Sequence, residues 1–483
     1  MSTSAGKAGT DLTAGPIGRG LIGMAVPTLA TSMLQSLQGS VNAMWVGRLL
    51  GADALAASYT VNIVLFLMSS LVFGVGVAAM ILVGQSKGRG DLDEARRAMG
   101  GAVGLFAVVS TALAASAWVL APLLLDVLGT PGPVKPLAVA YLRAVLVSTP
   151  AAFVLLLIMM GLRGAGDAVT PVWFMVALVV GDALLNPVFI QGWGPVPRLG
   201  IAGSGVATVV STYVGLAAML CTIYARDLSL RLRGRELLYL RPSLALSRTL
   251  AAKGLPIGMQ MVVASTAALA MTGLVNAHGA TAVAAFGAAS QLWTYIQMPG
   301  TAVGAAVSAM AAQNIGAGRW DRVGEVARAG LLLGLAVTAS LVVAALVAGH
   351  LAIGIFLPAG GPAATVAQHI LLVTGWGFVL FSASTILSGV VRANGAVMAP
   401  LVIAAVSMLP VRLGFAALLQ PHLGTDALWW SFPLGFAAAL LLTGLYYRFG
   451  RWRASRIGPV RNPPPPGRAD LAREPRDMKP GLS

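Results

Sequence analysis

Charge is scarce in this sequence. Only 10% of its 483 residues are Asp, Glu, Lys or Arg while 57% are hydrophobic, against about 25% charged in a soluble globular chain. Water is therefore not its main solvent. Cys221 is the one cysteine, which rules out an internal disulfide; near the inner end of the sixth apolar run it reads as structural. His278, His350, His369 and His422 lack metal-ligand spacing, so no metal site is assigned. Each of the five lysines is followed by Ala, Gly or Pro, so no GxxxxGK loop ending in Ser or Thr exists, and no nucleotide is expected. No His with Asp or other reactive constellation lies at depth, so neither an enzyme nor a cofactor is expected.

What is abundant is apolar length. Twelve runs are long enough to cross a hydrocarbon core about 30 Å thick. They lie at 20–46, 55–83, 98–124, 137–161, 170–191, 202–224, 250–275, 281–311, 327–356, 366–391, 398–420 and 427–449. The first follows a short polar tail without a small-residue cleavage site, which reads as a retained helix. The formal charge of +16 is placed unevenly. Alternate connections hold nearly all the Lys and Arg, among them Lys87, Arg89, Arg96, Arg97, Arg163, Arg226 to Lys253, Arg319, Arg322 and Arg392, whereas the opposite side holds Arg48, Lys135 and Arg198. The positive-inside rule then puts both termini in the cytoplasm of a multi-pass plasma-membrane protein. Basic loops meet anionic headgroups of the bilayer, so the charge calls for no nucleic acid.

The chain divides into a tail at 1–19, a six-helix lobe at 20–224, a basic linker at 225–249, a second six-helix lobe at 250–449 and a Pro-rich tail at 450–483 expected to be disordered. The lobes repeat. At an offset of 228 or 229, Pro27 meets Pro256, Gly51 meets Gly279, Gln85 meets Gln313, Gly90 meets Gly318, and "LRGAGDAVTP" meets "VRANGAVMAP". Six helices per repeat make the repeats parallel, and a cleft between two such bundles suits alternating access. The fold class is thus all-α integral membrane, with twelve transmembrane helices in two pseudo-symmetric bundles.

The stretches "AVPTLATSMLQSLQGSVNAMWVGRLLGADALAAS", "MMGLRGAGDAVTP" and "MPGTAVGAAVSAMAAQNIGAGRWDR" resemble the multidrug and toxic compound extrusion (MATE) family over nearly the whole chain. The resemblance implies antiport of organic, often cationic, compounds against protons or sodium. It also implies an aspartate on the first helix and Asn followed four residues later by Asp on the fifth. This sequence has Asn42 in the first place and the reversed pair Asp182 and Asn186 in the second. A glutamate after the seventh-helix proline, found in another branch, is missing.

An ionised group at the bilayer centre costs at least about 2.5 to 3.5 kcal/mol, so a carboxylate retained there is a functional candidate. Of 16 acids, Asp182 alone lies well inside a span. Asn186, one helical turn on, could bond its carboxyl or offer a cation an oxygen. Gln35, Gln38 and Asn42 form a polar stripe on the first helix, and Thr208 on the sixth joins the cluster; the alternative is that these groups only bridge helices. Asp182, Asn186 and Asn42 are the candidate coupling-ion residues. One carboxyl taken out of water favours its protonated form, whereas sodium needs several oxygens, so protons are favoured over sodium. In the second lobe Arg412 is a second charge at depth, open to a structural or substrate role; Gln260, Asn276, Gln291, Trp293 and Tyr295 are candidates to line a second-half cavity, with ordinary helix packing as the alternative.

These features describe a monomeric secondary antiporter of small cationic or amphiphilic molecules. A lipid-linked or polysaccharide-precursor flippase, or sodium coupling, are the alternatives. A gradient suffices for either, since about 100 mV is worth roughly 2.3 kcal/mol per charge.

Overall fold

A computed structural model describes residues 10–194, 197–354, 356–358 and 361–455. The described residues form α1 (Ile17–Leu50), α2 (Ala52–Gly88), α3 (Leu92–Val127), α4 (Lys135–Leu146), α5 (Thr149–Gly164), α6 (Val169–Gln191) and α7 (Ile201–Ala225) in the first half. The second half holds α8 (Leu244–Asn276), α9 (Ala280–Gly316), α10 (Trp320–Val347), the short α11 (Gly349–Gly354), α12 (Pro362–Gly375), α13 (Gly377–Ala393), α14 (Met398–Val406), α15 (Gly414–Leu423) and α16 (Asp426–Phe449). Among the described residues nine spans are long and apolar enough to cross a bilayer, α14 and α15 forming one of them. The pairs α4 with α5 and α12 with α13 each make one more if each bent pair is one span, and α9, 37 residues long but outside that apolar set, is the twelfth long helical segment. Its polar middle, Ser290, Gln291, Thr294 and Gln297, lowers its apolarity.

Two expected continuous spans are bent, by 49° between α4 and α5 and by 42° between α12 and α13. Pro150 follows the first bend and Gly375 and Gly377 flank the second, so each break falls where the helical ladder is weakened. The eleventh span is regular only at its ends. A π-helical turn, Ser407–Leu413, separates α14 from α15 around Pro410, which has no N–H for the ladder.

The repeat is visible in the backbone. Gly51 and Gly279 hold φ of 88° and 85°, and Gly166 and Gly395 both hold 84°, a region closed to most L-residues. At the junction of the halves, a Cβ on Gly88 would fall 1.9 Å from the Gln313 carbonyl oxygen, and a Cβ on Gly316 would fall 2.0 Å from that of Gln85. The Gln85 amide donates to the Ala393 carbonyl at 2.7 Å, and the Gln313 amide to the Gly164 carbonyl at 2.8 Å. These reciprocal contacts put a pseudo-two-fold axis between α2 and α9.

One hydrophobic core joins both halves at the end of the bundle where α1 begins and α16 stops. At the other end there are two separate cores, one per half. The lobes therefore meet at the terminal end and part toward the opposite one. Consistently, burial is unbroken over 74–86 in α2 and 306–314 in α9 but intermittent before those segments, where Tyr59 and Tyr295 are exposed.

The linker carries local structure, and one expectation about the ends changes. The linker includes a 3-10 helix, Gly234–Leu240, docked on α3 through a 2.9 Å Arg96–Glu236 ion pair. The expected disorder at 450–483 does not hold for its first residues: Arg451–Ala454 is a 3-10 turn whose Trp452 is buried against Tyr447. The Pro-rich stretch beyond 455 lies outside the described residues, as do positions 1–9 of the first tail. Cys221, read as structural, is exposed.

Candidate functional site

Asp182 sits in the middle of α6 and is 1% exposed. Its helix packs against α7 and α1, and the carboxylate lies buried on that packed side of the first lobe. The Thr208 hydroxyl of α7 donates to Asp182 Oδ1 at 3.0 Å, and the Gln38 side chain of α1 also bonds the carboxyl. No ion pair joins Asp182 among the described residues. A buried charge is thus held by neutral donors alone.

Asn42 stands one turn beyond Gln38. Its amide donates to the Tyr141 hydroxyl at 2.9 Å, and its oxygen accepts from the Ser204 hydroxyl at 2.6 Å. Helices α1, α4 and α7 are thereby tied together beside the acid. The Asn186 amide does not reach the Asp182 carboxyl; it donates to the Asp182 backbone carbonyl at 2.9 Å. That bond leaves the buried Asn186 Oδ1 without a donor. Gln35 is exposed and outside this network. Tyr141 and Ser204 were not legible as members, because they come from helices about 100 and 160 positions from Asn42.

At the offset of 229 Asp182 falls opposite Val411, next to Arg412 in the π-helical turn. Arg412 is 8% exposed, and its guanidinium carbon lies 3.5 Å from the centre of the Phe432 ring. Gly200, the N-cap of α7, and Gly424, just before the N-cap of α16, share a φ of 58°, and aligning these two glycines sets Thr208 opposite Phe432. A carboxylate on a hydroxyl in one lobe is matched by a guanidinium on an aromatic face in the other. The close packing of Gly435 on Arg412, 3.2 Å from a Cβ there, lets α16 approach.

Of the other second-lobe candidates, Gln260 lines a cavity with Arg412 and accepts from Arg392 at 3.3 Å. Trp293 is buried in an aromatic cluster, 4.6 Å centre to centre from Phe432. Asn276, Gln291 and Tyr295 are exposed and lie outside that cavity. Arg392 was read only as a loop cation and is the residue missed here. Among the described residues no three His, Cys, Asp or Glu side chains come together to hold a metal ion.

Before α1 the chain crosses between lobes. Thr10 N–H donates to Gly166 of the first half at 3.2 Å, while Leu12, 1% exposed, bonds Gln313 and Asn314 of the second at 3.1 Å each. Beside it the hydroxyl and N–H of Thr13 both donate to Asp11 and hold its carboxyl below the usual carboxylate range.

The MatE family model matches residues 27–188 and again 256–418, one copy in each half. The probable multidrug resistance protein YoeA of Bacillus subtilis is 32% identical over 434 residues, covering 89% of this chain and 93% of that protein. The probable multidrug resistance protein YpnP of the same organism is 30% identical over 451 residues, 92% of this chain and 98% of that one. The crystal structure of the Vibrio cholerae MATE transporter VcmN in its bent form shares the fold, with a TM-score of 0.83 at 19% identity over 91% of this chain and 98% of that one.

Proposed function

Because the chain belongs to the MATE family of multidrug-efflux transporters, membrane proteins and not enzymes, we propose that it exports small amphiphilic organic compounds by antiport against protons. Asp182 is the proton-carrying group. The observation that carries this reading is a carboxylate 1% exposed, served by Thr208 and Gln38 and by no cation. Exchange then follows from competition. Protonation removes a charge that the low-dielectric lobe holds only with help, the helices α1, α6 and α7 repack, and the exported compound is released.

In this reading the joined, terminal end of the lobes faces the cytoplasm of a plasma-membrane protein, supported by the uneven spread of Lys and Arg along the loops. In that orientation the structure is closed inward and parted outward, with the segment at 10–15 strapping the closed side. The protein acts as a monomer, since each chain carries both lobes.

One observation favours a second reading. Asn186 Oδ1 is buried without a donor, and with Asp182 and Thr208 it offers oxygens of the kind a sodium ion takes. Proteoliposomes holding the purified protein and a lipophilic fluorescent cation separate the two. Movement on a pH gradient alone supports the proton, and movement only when sodium is supplied replaces it with the ion.

A further inference from the structure

We propose that the cavity of the second lobe binds the anionic head, a carboxylate or phosphate, of the compound that the protein exports. This deepens the export reading and rests on it. The cavity is about 150 Å³ and lies between α13, α14, the π-helical turn and α16, with Gln260 closing it from α8. Its lining includes Arg412 and Arg392 and no Asp or Glu.

Both arginines bring donors that nothing in the protein uses. Arg412, 8% exposed, has a buried Nε without an acceptor, and so does Arg392, whose bond to Gln260 engages another nitrogen. A guanidinium has five N–H donors in one plane and no acceptor, a fork that fits the paired oxygens of a carboxylate or phosphate. Phe432 covers one face of the Arg412 guanidinium, and Arg412 lines the cavity beside it. The hydroxyls of Ser384 and Thr443 bond each other at 3.3 Å, and the pair adds one further hydroxyl donor to the same wall.

Size and lining then set the class of ligand. The space is far above the roughly 15 Å³ that holds one water, yet below the roughly 300 Å³ at which drug-sized sites begin. It takes a head group, with Phe381, Phe436 and Met408 as apolar wall for the attached body. A cationic head would meet two guanidiniums and no acid in a medium that screens poorly. The cationic substrates implied by the family resemblance are thus unsuited to this cavity. A monovalent anion leaving as one proton enters moves two charges, so its export also responds to membrane potential, whereas exchange of a monovalent cation for one proton does not.

The test uses the purified full chain and four probes sharing a naphthyl body: naphthoate, naphthyl phosphate, naphthylmethanol and naphthylmethylammonium. By titration calorimetry the two anions should bind about tenfold or more tightly than the alcohol, with the ammonium weakest. Arg412→Gln should erase that preference and Arg412→Lys should keep part of it. Equal binding of all four heads by the unaltered protein overturns the proposal, whether or not a variant folds. Unchanged preference in Arg412→Gln overturns it too. In proteoliposomes the two readings separate. Naphthoate export hastened by an inside-negative potential supports both; a fluorescent cation that moves while naphthoate neither binds nor moves leaves export standing and removes the anion site. If naphthoate binds through Arg412 but no compound moves under any gradient, the site stands and the export reading fails.

Discussion

The two lobes share a backbone and differ in charge. Where the first half buries Asp182 under the Thr208 hydroxyl, the second half, one residue from the matching place, buries Arg412 on the Phe432 ring. The shared scaffold shows in the glycine pairs with equal φ and in the reciprocal Gly88 and Gly316 contacts. Glycine backbone and helix ends are what a duplicated bundle needs in order to close on itself, so they stay alike. Buried charge is what a duplicated bundle does not need, and its divergence supports the proposed division of labour between a proton-carrying lobe and a ligand-binding one.

The largest effect expected from breaking this comparison comes from Asp182→Asn. Gradient-driven flux in proteoliposomes should fall to the leak of protein-free vesicles while the naphthoate affinity set by the other lobe is unchanged. Coupled loss of both would mean that the lobes do not divide the work. Next, Thr208→Val removes a hydrogen bond to a charged group, worth about 1.5 to 3 kcal/mol. It should slow exchange strongly, whereas its positional counterpart Phe432→Leu removes a cation–π contact of about 0.5 to 2 kcal/mol and should weaken anion binding instead. Similar phenotypes from the two would undo the contrast.

The shared scaffold can be tested in the same spirit. Gly88→Ala and Gly316→Ala each force a methyl group onto a backbone oxygen, and each should destabilise the purified protein by about 1 to 3 kcal/mol in thermal unfolding, to a like extent. The smallest effect belongs to the strap. Asp11 is ionised more readily in the folded chain than its ordinary value of 3.8, chiefly because of the Thr13 hydroxyl. Its contribution is therefore present above about pH 4 and is lost as pH falls through the lowered folded value. Asp11→Asn should remove that acid dependence in protease-protection assays of the strap, with a loss below about 1 kcal/mol at neutral pH, as expected of an exposed contact.

Much of this was legible before any coordinates. Twelve apolar runs, the repeat and the solitary Asp182 follow from hydropathy and offset, because membrane burial constrains composition over whole helices. The bends at Ser148 and Trp376 and the π-helical turn at Pro410 were not, since runs of apolar residues look the same whether straight or broken. The sites were legible in part. Gln38 and Thr208 reach Asp182 as their helical faces suggest, but Asn186 turns to a backbone carbonyl, a choice set by rotamer and not by spacing. In the second lobe the amides and aromatics of α9 looked equivalent in sequence, and only packing separates buried Trp293 from exposed Gln291 and Tyr295. Arg392 escaped notice because a positive residue at a helix end resembles any loop cation until Gln260 and Arg412 are seen beside the same cavity.

The central claim, that Asp182 carries the proton exchanged for the exported compound, is tested most directly by proton flux itself. Vesicles loaded with a pH-sensitive dye are given an outwardly or inwardly directed gradient of a transported compound, without any imposed pH or sodium gradient. Unaltered protein should move protons against the compound, and Asp182→Asn should move none while still binding it. Proton movement that persists in Asp182→Asn, or compound movement in sodium with no proton flux from the unaltered protein, would contradict the account.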